Sequence, residues 1–219
     1  AIMSTGDELV MPGETPGPDQ IISSNAFGLK ARLQQLGAEA RLLPIARDTA
    51  DSLKMAFSLA DDADLVLTIG GASVGDHDLV GDVAAELGME RSFYKIAMRP
   101  GKPLMAGRLR TGAMMIGLPG NPVSAMVCGE VFLAPVIRAM LGLGAEPAPR
   151  FVATLSDPIG ANGPREHYMR ALVEDRQLRA FARQDSALLT VLSEANALLI
   201  RPPFAPALDA GQDVEYLPI

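Results

Sequence analysis

The stretch MMIGLPGNPVSAMVCGE, Met114 to Glu130, decides the fold, because an apolar run passes through a turn rich in proline and glycine into a helix-like run. Pro122 suits the first turn of a helix, since its missing N–H would have no intrahelical partner there. Asn121 is a good N-cap, and Gly120 lets a ligand approach the backbone. The stretch therefore predicts a rigid strand-to-helix turn whose helix start can bind an anion. Taken alone, it fits a turn without a ligand equally well.

A second glycine-rich turn, TIGGASVGDHD from Thr68 to Asp78, follows the apolar run DLVLTIGG. It matches neither the dinucleotide-binding fingerprint nor a P-loop. In a parallel sheet, both turns leave the carboxyl ends of strands, the edge at which ligands bind. Two such turns together favour a binding site over two plain turns. Its glycines and its hydroxyl are Gly70, Gly71, Gly75 and Ser73.

Three carboxylates follow predicted strands at the same edge. Asp76 and Asp78 close the glycine-rich turn, and Asp48 ends LLPIARD. Carboxylates beside phosphates usually need a divalent cation between them, and Mg²⁺ is the typical one. Helix capping explains Asp48 and Asp78 as well, and both roles can coexist.

A proline-stiffened loop carries two cations. In KIAMRPGKPLMAG, Arg99 and Lys102 flank Pro100 and Gly101, with Pro103 behind them. A stiff loop loses less entropy when it binds an oxyanion. The loop predicts local positive charge in an acidic protein, and a solvated hairpin turn is the alternative.

The composition limits the classes of protein. The 219 residues are 48% hydrophobic and carry a net charge of −7 without a run of Lys and Arg, which excludes nonspecific nucleic-acid binding. No apolar run reaches the roughly 20 residues that span a bilayer, so no membrane insertion is expected. The single cysteine, Cys128, forms no internal disulfide and is expected to be core packing. A reducing cytoplasm fits this cysteine use.

Strands and helices alternate to about residue 143, which predicts an α/β domain with a mostly parallel sheet at 1–143. Residues 144–149 are typical of a linker, and 150–219 break into short strand-like pieces that predict an all-β domain. EARLLPIA and YKIAM are predicted strands, Thr111-Gly112 a hairpin turn, and PVSAMVCGEVFLAPVIRAMLG a long helix with a kink at Pro135.

The motifs STGDEL, SSN, GGASVGDHD, RPGKPL and GLPGNPVSA, in this order, resemble those of the molybdopterin molybdenumtransferases, the family of MoeA and the gephyrin E domain. GPREHYMRA and SALLTVLSEANAL resemble the C-terminal barrel of the same family. The resemblance covers nearly the whole chain. It implies a three-layer, mostly parallel molybdopterin-binding domain followed by a small β-barrel.

The resemblance implies insertion of molybdenum: adenylyl-molybdopterin and molybdate give molybdenum cofactor and AMP, with Mg²⁺. It implies catalytic roles for Asp48, Asp78, Arg99 and Lys102, with both aspartates as metal ligands. Arg99 stands where a lysine is common, which keeps the charge and changes its geometry. The implied pterin–nucleotide residues are Gly70, Gly71, Ser73, Gly75, Asp76, Pro119, Gly120, Asn121 and Pro122. The implied molybdate residues are Arg99, Lys102, Pro103, Ser124, Arg165 and Ser186.

The resemblance also implies two further domains before this region, which complete the active site across a homodimer. The chain opens inside an apolar run at Ala1, so we expect a segment that turns over poorly alone. Implied partners are the small-molecule substrates, the adenylylating enzyme and recipient molybdoenzymes, in the cytoplasm. The alternatives are a molybdopterin adenylyltransferase-like enzyme, which would lack the barrel, and a non-catalytic gephyrin-like scaffold. His77 and His167 are too few and too far apart in sequence to indicate a histidine metal site.

Overall fold

The computed structural model describes residues 1–71 and 78–219. They form two compact units. The first unit is Ala1–Ile96 with Pro103–Asn121, and the second unit is Ala97–Lys102 with Pro122–Ile219. The domain limits drawn from the sequence at residues 143 and 150 stay predictions.

The first unit is built on a five-stranded sheet in the order β1-β4-β8-β7-β5. β1, β4 and β8 are parallel, whereas β7 and β5 continue the sheet in antiparallel pairs. The predicted α/β class is confirmed, with three parallel strands and an antiparallel edge. The strands are β1 (Ile2–Ser4), β4 (Leu65–Ile69), β5 (Glu90–Tyr94), β7 (Met105–Arg108) and β8 (Met114–Leu118), and a separate parallel pair is β2 (Leu9–Val10) with β3 (Ile21–Ile22).

The sequence of β4, LVLTI, is buried at all five positions, as expected for a central strand covered on both faces. Three helices accompany the sheet, α1 (Asn25–Gln35), α2 (Ala50–Ser58) and α3 (Leu79–Glu86). Thr49 caps α2, because its side chain accepts a hydrogen bond from the backbone N–H of Ser52. Each helix buries an apolar stripe, as the predicted helical spacing requires.

Two predicted strands are wrong. EARLLPIA makes only isolated parallel bridges, Ile2 with Leu42 and Thr5 with Ala46. Pro44 lies between the two bridges and has no N–H to donate to a ladder. YKIAM is split: β5 ends at Tyr94, Lys95 has a φ of 67°, and pairing resumes at β6 (Met98–Arg99). The predicted turn at residues 111–112 is confirmed between β7 and β8.

The second unit contains a closed five-stranded barrel. Its pairing order is β9-β13-β12-β10-β11 and back to β9, and β6 pairs with the start of β10. Small and aliphatic side chains, among them Ala171, Leu199 and Val214, form its core. The predicted all-β domain and barrel are confirmed. The strands are β9 (Phe151–Leu155), β10 (Glu166–Glu174), β11 (Gln177–Ala180), β12 (Ala197–Arg201) and β13 (Asp213–Pro218), and helix α6 is Leu189–Glu194.

The long apolar helix of the second unit runs from Pro122 to Met140. It consists of α4 (Pro122–Cys128), a π-helical segment (Gly129–Leu133) and α5 (Ala134–Met140). The predicted irregularity is present as this wider turn just before Pro135, whose ring and missing N–H disfavour a regular helix there. At 19 residues and a mean hydropathy of 1.6, the helix has the length and composition of a membrane span, but half of it is buried in the protein, as in a core helix.

Candidate functional site

The carboxyl ends of three parallel strands meet at one edge of the first unit. The backbone N–H of Thr5 donates to the carbonyl of Ile69 over 2.9 Å, and that of Gly70 donates to Leu118 over 3.1 Å. The Asn25 side-chain amide, at the start of α1, donates to the Gly120 carbonyl over 2.7 Å. We call this group of turns the strand-end edge. It confirms that the two glycine-rich turns meet.

The strand-end edge requires glycine where its backbones approach each other. Gly70 has a φ of +91°, and a Cβ there would lie 2.6 Å from the Thr5 carbonyl oxygen. A Cβ on Gly71 would collide with Val80 and lie 2.9 Å from the Thr5 hydroxyl. Because a side chain cannot fit at these positions, the edge presents backbone rather than side chains to a ligand.

The predicted pterin–nucleotide residues fall into three groups. Those described at the strand-end edge are Gly70, Gly71, Pro119, Gly120 and Asn121. Pro122 begins α4 in the second unit, as the sequence predicts for a helix start. Ser73, Gly75 and Asp76 lie outside the described residues. The binding role of all of them stays a prediction.

Asp78 is the N-cap of α3. Its Oδ1 accepts a hydrogen bond from the Gly81 N–H over 3.0 Å, which confirms the capping role. Its Oδ2 is buried, with no hydrogen-bond partner within residues 1–71 and 78–219. Burial raises the pKa of this carboxyl above its ordinary value, and the Gly81 N–H offsets part of the shift. An orphaned carboxylate oxygen fits a site for a cation or a hydrogen-bond donor.

Asp48 lies beside an aspartate that the sequence reasoning missed. The backbone N–H of Asp48 donates to Oδ1 of Asp7 over 3.1 Å, and Arg47 donates to the Asp7 carbonyl over 3.0 Å. Asp7 stands in the motif STGDEL, which could have drawn attention to it. The described part of the chain holds no group of three or more metal-ligating side chains. Mg²⁺ is often held by one or two carboxylates together with substrate phosphates, so Asp78 still fits such a site.

The predicted oxyanion residue Arg99 lies on β6, and Arg165 immediately precedes β10, the neighbouring strand of the second unit. Strands β6 and β10 pair with His167 opposite Arg99. The Arg165 guanidinium donates to the Met98 carbonyl over 3.5 Å. The shared role of Arg99 and Arg165 in binding an oxyanion stays a prediction. Lys102 follows in the same loop and is exposed, whereas Pro103 belongs to the first unit.

The loop between Arg99 and Lys102 rests on α4. A Cβ on Gly101 would lie 2.6 Å from the Cys128 sulfur, so only glycine allows this approach. The Cys128 thiol is buried, and burial raises its pKa to about 12. Cys128 is therefore a packing residue, as predicted, and carries no thiolate at neutral pH.

Ser124 and Ser186 lie in one region of the second unit. The N–H of Val123, in the first turn of α4, donates to the Ser186 carbonyl over 3.1 Å. Ser124 is next along the helix and is buried. The segment that contains Ser186 also contacts β10, because the Arg170 guanidinium donates to the carbonyl of Asp185 over 2.9 Å.

Arg170 is a functional candidate that the sequence reasoning missed. Its side chain is fully buried, and its Nε and Nη1 have no hydrogen-bond partner among the described residues. Burial lowers the pKa of its guanidinium, and the charge of Arg99 lowers it further. A buried, poorly paired guanidinium is costly unless an anion binds it. The available signal was an arginine between Met169 and Ala171, with Leu172 and Val173 following, inside the quoted motif GPREHYMRA.

The comparisons with known proteins agree with both units. Residues 1–139 match the family described as the probable molybdopterin binding domain, and the chain belongs to that family. Residues 152–219 match the MoeA C-terminal region, domain IV.

Relatives and solved structures point the same way. The chain is 37% identical over 228 residues to a molybdopterin molybdenumtransferase of Nostoc sp., with 99% of this chain and 52% of the relative covered. It is 33% identical to molybdopterin molybdenumtransferase 2 of Mycobacterium tuberculosis, with 98% and 55% covered. The crystal structure of a molybdopterin biosynthesis MoeA protein from Pyrococcus horikosii superposes with a TM-score of 0.85 at 29% identity, over 99% of this chain and 53% of that one. The chain spans about half the length of the curated relatives it matches.

Proposed function

We propose that this chain carries substrate-binding parts of a molybdopterin molybdenumtransferase. The reaction takes molybdenum from molybdate into adenylyl-molybdopterin and releases AMP. The observation that carries the proposal is the poorly paired Arg170 guanidinium, close to Arg99 and to the Ser186 segment in a chain of net charge −7. Membership of the molybdopterin-binding family and the names of the relatives support the same reaction.

The strand-end edge is proposed to hold the pterin and nucleotide. Backbone N–H groups near glycines favour phosphate oxygens without a charged side chain. Asn25 fixes the Gly120 carbonyl, and the close approach of the Thr5 and Gly70 backbones makes the surface rigid. A rigid surface loses little entropy on binding, so it positions the substrate rather than reacting with it.

Asp78, Asp48 and Asp76 are proposed to act at the Mg²⁺ and nucleotide. Mg²⁺, when bound, neutralises charge on the substrate phosphates. The Oδ2 of Asp78 is the best candidate ligand, because it is buried and is not used by the α3 cap.

The arginines of the second unit are proposed to bind molybdate. Molybdate is a tetrahedral dianion, which cationic and hydroxyl donors suit. Arg170 has two unpaired donor nitrogens, and Arg99, Arg165, Lys102, Ser124 and Ser186 supply further donors. These residues neutralise and orient the anion, and no protein nucleophile is needed.

The adenylyltransferase-like alternative is disfavoured by the match of residues 152–219 to the MoeA C-terminal region. We further propose a homodimeric, cytoplasmic protein in its full-length form, with contacts to the adenylylating enzyme and to molybdoenzymes. The scaffold alternative predicts binding of a partner peptide without any need for molybdate or nucleotide.

The test is to measure binding of AMP with Mg²⁺, and of tungstate or molybdate, to the 219-residue chain by titration calorimetry. We expect both classes of ligand to bind, with tungstate competing against molybdate and not against AMP. A chain that binds neither at millimolar concentration would contradict the proposal. Incorporation of AMP from ATP into molybdopterin would favour the adenylyltransferase instead.

A further inference from the structure

One buried histidine of the second unit, His167, lies among arginines of neighbouring strands. Its side chain is 7% exposed. The strand pairing sets it directly opposite Arg99 on β6 and Arg201 on β12. Arg165, two residues earlier in the chain, lies within electrostatic range as well. Its Nε2 is buried and has no hydrogen-bond partner in the described part of the chain.

The unmet hydrogen-bonding capacity of the protein is concentrated here. Residues 1–71 and 78–219 contain six buried side-chain nitrogen or oxygen atoms without a partner. Four of them belong to His167, Arg170 and Arg201. Buried polar groups in native proteins are normally paired, so a cluster of orphans in one region indicates a ligand that completes it.

The charged groups that shift the pKa of His167 are all arginines. Burial lowers the pKa of its imidazole from 6.5 to about 4, and Arg99, Arg170, Arg165 and Arg201 each contribute to the lowering. His167 is therefore neutral at pH 7 in the free protein.

Glu166, next to His167 in the sequence, and Asp185, whose carbonyl accepts from Arg170, have other partners for their carboxylates. Glu166 accepts from the Tyr168 hydroxyl over 2.6 Å and from Arg150 over 3.2 Å. Asp185 accepts from the N–H of Ala187 over 2.9 Å. Neither engages the imidazole in a hydrogen bond, so the arginine charges act on His167 without a carboxylate partner to offset them.

We propose that His167 is a proton-linked positioning residue of the oxyanion site: when a tetrahedral dianion binds among the arginines, His167 takes up one proton from solvent. This inference rests on the proposed molybdate site, and it states how pH regulates anion binding there. The bound species is the dianion plus one proton, so affinity rises as the pH falls.

The physical reason is a reversal of the local potential. A dianion bound among the arginines carries the opposite charge and lies about as far from His167 as the arginines do. It therefore removes the main electrostatic penalty on the imidazolium. The imidazolium can then donate from the otherwise orphaned Nε2. If the pKa of His167 returns to its ordinary 6.5 in the complex, it exceeds the value of about 4 in the free protein. Anion binding and protonation of His167 are then coupled between about pH 4 and pH 6.5.

The test is calorimetric titration of the 219-residue chain with sodium sulfate, which stays a dianion throughout the range, at pH 7.5, 6.5 and 5.5. Two buffers of different ionisation enthalpy give the number of protons taken up. We expect sulfate to bind about tenfold more tightly at pH 5.5 than at 7.5, with nearly one proton taken up per sulfate at pH 5.5. His167→Gln should remove the pH dependence. His77→Gln, which replaces the only other histidine of the sequence, is the matched control and should retain it.

Several outcomes would overturn the inference. Sulfate binding that is equal at all three pH values, or proton uptake that survives in His167→Gln, would contradict it and leave the oxyanion site standing. No binding of sulfate or tungstate at any pH would overturn the site and the inference together. Because His167→Gln can fail to fold, imidazole NMR shifts of the unsubstituted protein provide a second measurement. A His167 signal whose titration midpoint does not move to higher pH on adding sulfate would sink the idea.

Discussion

The strand-end edge of the first unit differs in its construction from the arginines proposed to bind the oxyanion in the second unit. We call these arginines, Arg99, Arg165 and Arg170, the arginine cluster. At the strand-end edge, the N–H groups of Thr5 and Gly70 and the Asn25 amide all have partners within the first unit. In the second unit, Arg170 is fully buried, and two of its donor nitrogens have no partner in residues 1–71 and 78–219. These contacts of the edge are made without a ligand, whereas two donors of Arg170 have no partner among the described residues.

This difference separates two ways of preparing a binding site. The edge depends on its shape, because its backbone segments approach so closely that only glycine fits at Gly70 and Gly71. The cluster keeps like charges and open donors in a buried place, at a cost to the free energy of folding that an anion offsets. Substitutions at the edge should therefore lower stability first, and substitutions in the cluster should lower anion affinity first.

The largest effect is expected for Arg170→Met. We expect sulfate or tungstate affinity to fall at least a hundredfold, or about 3 kcal/mol, because a buried guanidinium with open donors is removed. The free energy of unfolding should stay within about 1 kcal/mol of the parent or rise, since an underpaired buried cation becomes a well-fitting apolar side chain. Calorimetry and urea unfolding measure the two quantities.

Arg201→Met is the matched control, because Arg201 is equally buried but donates to the carbonyls of Gly160 and Pro206. Its loss should cost about 1–3 kcal/mol of stability, since the carbonyls of the exposed residues Gly160 and Pro206 lose their donor. If Arg170→Met destabilised the protein as much as Arg201→Met, the cluster would be structural, and the contrast between the two regions would fail.

The sequence predicts the edge far better than the cluster. Gly70, Gly71 and Gly120 stand out because glycine after an apolar run signals a close backbone approach, which is a local property. Arg99 was found from its proline-stiffened loop, and Arg165 through the family resemblance. Arg170 and His167 were missed because their importance lies in burial and in missing partners. Burial and the lack of hydrogen-bond partners both depend on how the strands pair in the folded protein. Neither property can be read from a local stretch of sequence.

Strand prediction failed for a related reason. YKIAM looks like one strand, but Tyr94 ends a strand of the first unit and Met98 begins a strand that pairs with β10. Local pattern cannot tell which partner a short strand finds. Tertiary pairing decided it, and the same pairing placed Arg99 beside His167.

A smaller effect is expected for Gly70→Ala, which tests the shape of the edge. Gly70 has a φ of +91° and no room for a Cβ, while Gly112, with a φ of +92°, has no heavy atom within 4 Å of a Cβ. Both alanines bear the backbone cost of about 1 kcal/mol, and Gly70→Ala adds about 1–3 kcal/mol of clash against backbone. Urea unfolding of the two variants isolates the close approach.

AMP binding supplies a second readout for the same pair. Gly70→Ala should weaken AMP with Mg²⁺ and leave sulfate affinity unchanged, and Gly112→Ala should change neither. Equal destabilisation by the two alanines would mean that the edge tolerates a side chain and that its tight backbone contact does not contribute to stability.

The smallest effect is expected for Asp78→Asn, with Asp82→Asn as control. Asp82 lies in the first turn of the same helix and is exposed. Asparagine keeps the acceptor for the Gly81 N–H but removes the charge. The affinity for AMP with Mg²⁺ should therefore fall about tenfold, or about 1.4 kcal/mol, because a cation loses a charged ligand. Asp82→Asn should leave that affinity unchanged, and equal affinities for Asp78→Asn and the parent would exclude Asp78 as a metal ligand.

The pH dependence of stability separates this role from capping. The folded-state pKa of Asp78 lies above its ordinary value of 3.8, chiefly through burial, so the folded state holds the proton more tightly than the unfolded chain does. The stability that follows is fully present in acid below the unfolded pKa and is lost as the pH rises through the folded one. Asp78→Asn has no such proton, so its stability relative to the parent should increase between about pH 3.5 and 7. Saturating Mg²⁺ with AMP should reverse the ranking at pH 7, because the ligand stabilises the parent more than the variant. A variant less stable than the parent at pH 7 without ligand would mean that the carboxylate charge serves the helix start, and Asp78 would then belong with the completed contacts of the edge.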